Sequence, residues 1–146
     1  MRLWHYELLP YLPDAQFKGQ LRELVAIMHD WRDKGKTNHL LINRVMEYRE
    51  GELITYFIYY AREYRRRYGK FPADKYKDDF LNFCNYSISN NGSIFEGWHN
   101  KEYLRVCMAN LYEKHIFGIG KSRITDEKWA RLCEGYEQIT GEKYVI

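Results

Sequence analysis

The sequence predicts an all-α protein, a compact single domain over residues 1–146 with an extended N-terminal segment packed against the first helix. Three observations carry that prediction. Apolar residues recur at the helical period in successive stretches of the chain. Short breaks rich in Gly, Pro, Asn and Ser separate those stretches. A chain of 146 residues that is 45% hydrophobic and 17% aromatic, with 14 tyrosines, can bury a core of its own.

The elements follow in order. Residues 2–12 read as an extended start bounded by prolines, with Leu3, Trp4 and Leu8 in need of burial. Asp14 is placed to cap a first helix running to about His29–Trp31, its core face formed by Phe17, Leu21, Leu24, Val25 and Met28. Residues 32–38 form a polar loop, and residues 39–48 a short apolar helical element. The clearest helix lies in residues 51–72. Leu53, Phe57, Tyr60, Ala61, Tyr64 and Tyr68 make its buried stripe, and Gly69 and Pro72 stop it. Residues 73–88 are expected to bury Tyr76, Phe80, Phe83 and Cys84 ahead of a turn at 89–93. The next helix, 100–115, carries Tyr103, Cys107, Met108 and Leu111 inward. After a break at 117–123, Thr125 caps a last helix bearing Trp129, Leu132, Cys133 and Tyr136.

The first helix has an unusual second face. Opposite its core stripe lie Gln16, Gly19, Glu23 and Ala26, so a carboxylate stands between two very small side chains. Glycine inside a helix costs about 1 kcal/mol against alanine. Such a trough leaves room beside Glu23 for the N-terminus and a small ligand. It also lets the extended start pack closely.

Several chemistries are excluded. Gly120-Lys121-Ser122 resembles the end of a phosphate-binding loop, but His115 stands where that motif needs its first glycine. Glu96 and His99 make a single Glu-x-x-His spacing, short of a di-iron set. No structural zinc pattern and no nucleophile-elbow sequence occurs, so no metal and no cofactor is expected. Three cysteines without paired spacing read as reduced thiols, and no apolar run has the length of a membrane span, which points to a cytoplasmic protein. The net charge of +3 is evenly spread, so any nucleic-acid face must be gathered by the fold. Arg62, Arg65, Arg66 and Lys70 read as a solvated flank, with Arg67 at its edge. Phe117–Ile124 offers two meanings: a hairpin turn that grips a DNA phosphate, or two glycines that permit positive φ in a loop.

The run Leu12–Leu24, "LPDAQFKGQLREL", resembles the endonuclease V-type pyrimidine-dimer DNA glycosylases, and more closely their bacterial members, many of which share the opening Met-Arg-Leu-Trp-His. The resemblance continues through His39 and Asn43 in "NHLLIN" and through His99 in "HNKEYLRVCMANL". It covers most of residues 1–70 and 95–120, while 73–92 and the last helix diverge.

What the resemblance implies is a DNA-repair glycosylase and AP lyase acting on damaged double-stranded DNA, with a nucleoid-associated location. In that family the N-terminal α-amine attacks sugar C1′, a Schiff base forms, and β-elimination cuts the backbone. Glu23 stands where the family has its acid/base glutamate, and Arg22 matches an arginine that holds DNA near the lesion. Arg2, Lys18, Arg22, His39, Asn43, His99 and Lys121 are the expected DNA contacts. An α-amine titrates near ~8 and so keeps a nucleophilic fraction at neutral pH.

This chain departs from the pattern at three places. Arg2 is too bulky for ordinary removal of the initiator, which makes Met1 the bearer of the amine. Gln16 replaces a family histidine, and Ala26 an arginine. Two other classes therefore stay open: a non-catalytic DNA-binding protein on the same scaffold, and a small helical interaction protein without DNA.

Overall fold

Helices dominate the computed structural model, which describes residues 2–84 and 92–146. Five are α-helices: α1 (Asp14–Lys34), α2 (Glu50–Tyr68), α3 (Asp74–Phe83), α4 (Lys101–Phe117) and α5 (Asp126–Thr140). Short 3-10 helices occupy Tyr6–Tyr11, Ile42–Glu47 and Gly120–Ser122, and no strand occurs among the described residues. The protein is all-α. The turn expected at 89–93 and the end of the segment before it fall largely outside the described residues.

Local chemistry shifts several boundaries. The N-terminal segment is extended only as far as His5, whose Nδ1 accepts the Glu7 N–H at 3.1 Å and opens a 3-10 helix. Helix α1 is entered from Pro13, so Asp14 is its first helical residue rather than its cap; a carboxylate there still complements the helix dipole. The helix continues to Lys34, a few residues past expectation, and ends at Gly35 with φ +69°. Its buried stripe is rotated as well. Phe17, Gln20, Leu24, Ile27 and Met28 are buried, whereas Leu21 and Val25 are half-exposed.

The described chain forms two compact units, and α1 is divided between them after Gly19. One unit comprises the chain start to Leu3 and Gln20–Trp98. Here α2 is stopped by Gly69 at φ +74° and buries Leu53, Phe57 and Tyr60. Ala61, Tyr64 and Tyr68 are only half-buried; the buried face continues instead through Glu63, whose carboxylate pairs with Arg66 and Arg67. Helix α3 joins α2 through Phe80, whose ring stacks on Phe57 at 4.3 Å. Phe80 and Cys84 are buried; Tyr76 and Phe83 are half-exposed. Phe95 holds a left-handed backbone (φ 55°), strained for an aromatic residue, and three contacts hold it there. Glu52 Oε1 accepts its N–H at 2.8 Å, and the Tyr48 and Trp98 rings pack at 5.4 and 5.3 Å.

The other unit comprises Trp4–Gly19 and His99–Ile146. Asn100 caps α4 and Thr125 caps α5 through side-chain oxygens. The Tyr6–Tyr11 helix rests on α5, and Gly135 explains how closely. A Cβ at that position would lie 2.4 Å from the Tyr11 ring. Tyr144 of the C-terminal tail folds back against Tyr136 and Trp129 at 5.2 and 5.7 Å. In the α4–α5 break only Gly120 takes a positive φ. Gly118 serves close approach instead, since a Cβ would stand 2.1 Å from the Lys114 carbonyl.

A stack of rings organises this unit's N-terminal end. His5 lies 5.1 Å from both Tyr6 and His99, and His99 lies 4.9 Å from Tyr103. The Nδ1 of His99 accepts the Tyr6 N–H at 3.1 Å, so both imidazoles present Nδ1 as an acceptor and carry their proton on Nε2. Burial holds both neutral: it lowers His5 to about 4 and His99 well below its ordinary value.

Linkage sets the pH response. Between about pH 6.5 and 4 the unfolded chain binds protons that the folded chain refuses, so stability falls on acidification through that window. Thermal melting should drop by about 5 °C or more from pH 7 to pH 5. His5→Asn, which keeps an acceptor for the Glu7 N–H but cannot titrate, should flatten that slope measurably. An unchanged slope would show that His5 does not carry it.

Candidate active site on the first helix

The site is built from α1 and the chain start. Helical geometry puts Gln20 and Glu23 three residues apart on one face of α1, and both side chains reach the same short piece of backbone. The Arg2 N–H donates to Glu23 Oε2 at 3.0 Å, and Gln20 Nε2 donates to the Arg2 carbonyl at 2.8 Å. Both backbone polar groups of Arg2 are thereby satisfied by side chains, as an adjacent strand would otherwise satisfy them. Gln20 is fully buried, and its Oε1 accepts from the Tyr56 hydroxyl at 3.2 Å, which ties the arrangement to α2. Leu3, next along the chain, is fully buried. Glu23 remains half-buried, within reach of a ligand.

Gly19 lies one turn before Glu23, and no described atom comes within 4 Å of where its Cβ would stand. No described residue of the N-terminal segment fills the space of the missing side chain. The absent side chain leaves open space beside that stretch of the helix. Ala26, one turn after Glu23, is half-exposed.

The other expected residues are placed as follows. Met1 lies outside the described residues. Arg2 is half-exposed, and Lys18 and Arg22 are exposed at i and i+4 on α1. Lys121 is exposed in the Gly120–Ser122 turn, which Gln16 tethers to the start of α1 by donating Nε2–H to the Ser122 carbonyl at 2.9 Å. His39 is exposed, whereas Asn43 is half-buried and accepts the Thr37 N–H at 2.6 Å. His99 is buried in the ring stack already described. Glu23 and Arg2 are thus in contact, and Asn43 and His99 are engaged in holding backbone.

Gln20 and Tyr56 escaped the sequence reading. Gln20 had a signal. It stands at i+3 from Phe17 and i−4 from Leu24, an amide in the middle of an apolar stripe, where a buried polar side chain must have a partner. Tyr56 had none, because the identity of its acceptor depends on how helices pack.

Among the described residues no group of three His, Cys, Asp or Glu side chains could hold a metal ion, and no helix is long and apolar enough to cross a membrane. No curated protein and no solved structure matches the chain. The family model of pyrimidine dimer DNA glycosylases does match, over residues 1–76, the segment that holds Arg2, Gln20, Arg22 and Glu23. A carboxylate bound to the chain start, and a match over more than half the sequence, lead to one assignment: the chain belongs to the pyrimidine dimer DNA glycosylase family, whose members are DNA-repair glycosylases.

Proposed function

We propose that the protein is a glycosylase and AP lyase for damaged double-stranded DNA, with pyrimidine dimers as substrate, the Met1 α-amine as nucleophile and Glu23 as acid/base. The observation that carries this reading is the 3.0 Å hydrogen bond from the Arg2 N–H to Glu23. Three covalent bonds separate an amide nitrogen from the preceding residue's α-nitrogen, so an amine on Met1 has a reach of about 4 Å from that amide. A carboxylate on a rigid helix at such range suits proton transfer to and from an amine.

The steps balance as follows. The neutral amine adds to C1′ as the C1′–N bond to the damaged base breaks, and the base leaves with the bonding electrons. Loss of the amine proton and opening of the sugar ring give an iminium at C1′. Removal of a C2′ proton then expels the 3′ phosphate by β-elimination, and water releases the amine. Glu23 accepts the amine proton first and exchanges protons with the ring oxygen and C2′ afterwards. Open space at Gly19 gives a deoxyribose somewhere to sit. Arg2, Lys18, Arg22, His39 and Lys121 provide phosphate contacts, which position the duplex without reading its sequence. Asn43 and His99 act indirectly, by fixing the segments that present the others.

Three outcomes test this. Glu23→Gln should abolish strand cleavage while leaving DNA affinity within about twofold, because shape survives and proton transfer does not. Unchanged cleavage would remove Glu23 from the chemistry. Residues added ahead of Met1 should eliminate borohydride trapping on abasic DNA without affecting folding, and full trapping in such a protein would shift the nucleophile to a lysine. Charge reversal at Arg22 should weaken binding about equally for all sequences and reduce the slope of log affinity against log salt by about 1 to 2. A flat salt response in the unaltered protein would favour a helical interaction protein that binds no DNA.

A further inference from the structure

Gln20 is a buried amide within the apolar stripe of α1, and its two ends have opposite partners. Its Nε2 donates to the Arg2 carbonyl at 2.8 Å, and its Oε1 accepts the Tyr56 hydroxyl at 3.2 Å. Gln20 and Tyr56 are both 0% exposed, so neither side chain is open to a DNA substrate. Arg2, Gln20, Glu23 and Tyr56 all belong to the same compact unit.

The position suits an amide and excludes a charge. The Arg2 carbonyl can only accept and the Tyr56 hydroxyl donates here, so the side chain between them must donate at one end and accept at the other. A carboxylate cannot donate, and an ammonium cannot accept. The hydroxyl therefore decides which end of the amide faces Arg2.

Two bonds on one residue hold more than either alone. Glu23 takes the Arg2 N–H, and Gln20 takes the Arg2 carbonyl. A single bond would let the chain start swivel about it, and the second removes that rotation. The peptide ahead of Arg2 is planar, so a fixed N–H carries the preceding α-carbon with it. An α-amine on that carbon is left with one backbone rotation.

We propose that Gln20 and Tyr56 form a brace that sets the position of the Met1 α-amine against Glu23, with Gln20 gripping Arg2 and Tyr56 orienting the Gln20 amide. Both are positioning residues, and the chemistry stays with the amine and Glu23. The brace rests on the glycosylase and lyase reading above. Its use is entropic: an amine held in one place attacks C1′ more readily than one on a loose terminus.

The test uses Q20M, Y56F and Q20E. Gln20→Met keeps the length and removes both polar ends, whereas Tyr56→Phe removes only the hydroxyl. In single-turnover borohydride trapping on abasic duplex, Q20M should be about tenfold or more slower and Y56F about threefold, with duplex affinity within about twofold in each. Because Tyr56 acts through Gln20, adding Y56F to Q20M should change the rate by less than about twofold. Gln20→Glu gives a signature that lost packing would not. A protonated carboxyl can donate to the Arg2 carbonyl and a carboxylate cannot. Trapping by the unaltered protein should rise with pH as the amine deprotonates; in Q20E that rise should turn over into a fall, with circular dichroism unchanged across the range.

A second measurement needs no DNA. Acylation of the Met1 α-amine by an N-hydroxysuccinimide ester at neutral pH, read by mass spectrometry of the N-terminal peptide, should be about threefold or more faster in Q20M. An amine released from Glu23 is more often neutral. Should Q20M fail to fold, Y56F carries both measurements. Unchanged trapping and acylation overturn the brace, and so does slower trapping with unchanged acylation, since Gln20 would then act elsewhere than on the amine. An additive loss in the double variant removes Tyr56 from it. If the unaltered protein traps no abasic duplex while Q20M still speeds acylation, the lyase reading fails and the brace stands. Normal trapping by the unaltered protein, with no change in any variant, removes the brace alone.

Discussion

The clamp on the Arg2 backbone is the constraint on which the candidate site depends. A chain start that folds inward carries its amide groups away from water, and each needs a partner or costs roughly 1–3 kcal/mol. Among the described residues no neighbouring strand provides partners. Two side chains of α1 do so instead, Glu23 for the N–H and Gln20 for the carbonyl. The pairing fixes the direction and height of the chain start on the helix, and in the proposed mechanism the same carboxylate also moves the proton. A glutamate that only capped a peptide could be replaced by glutamine at small cost. The same replacement in a proton-transfer role removes the chemistry.

Around this clamp, small side chains and charges are arranged with opposite purposes. Gly19 weakens α1 as a helix, and its absent side chain faces open space, so the weakness is not compensated by closer packing. Gly135, in α5, is the contrasting case: its missing Cβ is filled by the Tyr11 ring. Two glycines inside helices thus have different surroundings, open space at Gly19 and a tight contact at Gly135. The cations are likewise sorted. Arg66 and Arg67 are committed to the buried Glu63, whereas Lys18, Arg22 and Lys121 are exposed. For a chain with a net charge of only +3, the proposed affinity for DNA would rest on such local selection rather than on overall charge.

The helices themselves were largely written in the sequence. Periodicity located α2, α4 and α5, and Gly69, Asn100 and Thr125 ended or began them where turn chemistry requires. The family resemblance singled out the run holding Arg22 and Glu23, and the family match covers it. These features are local: side-chain spacing and backbone propensity operate over a few residues and need no knowledge of the partner surface.

What only the tertiary structure decided is the use made of polar residues at core positions. The sequence could count Gln20 among the residues of α1, but whether it faces solvent or clamps the Arg2 carbonyl depends on where the chain start lands. The same holds for Glu63, a buried carboxylate that pairs with Arg66 and Arg67, and for His5, whose ring begins a 3-10 helix where an extended segment was expected. Apolar burial is nearly pairwise-indifferent, so periodicity forecasts that a helix has a buried face, though not its exact rotation. A buried hydrogen bond is directional and needs one named partner, in these cases at sequence separations from two residues to dozens. The sequence by itself therefore determined the helices and the carboxylate; the three-dimensional fold determined what that carboxylate holds.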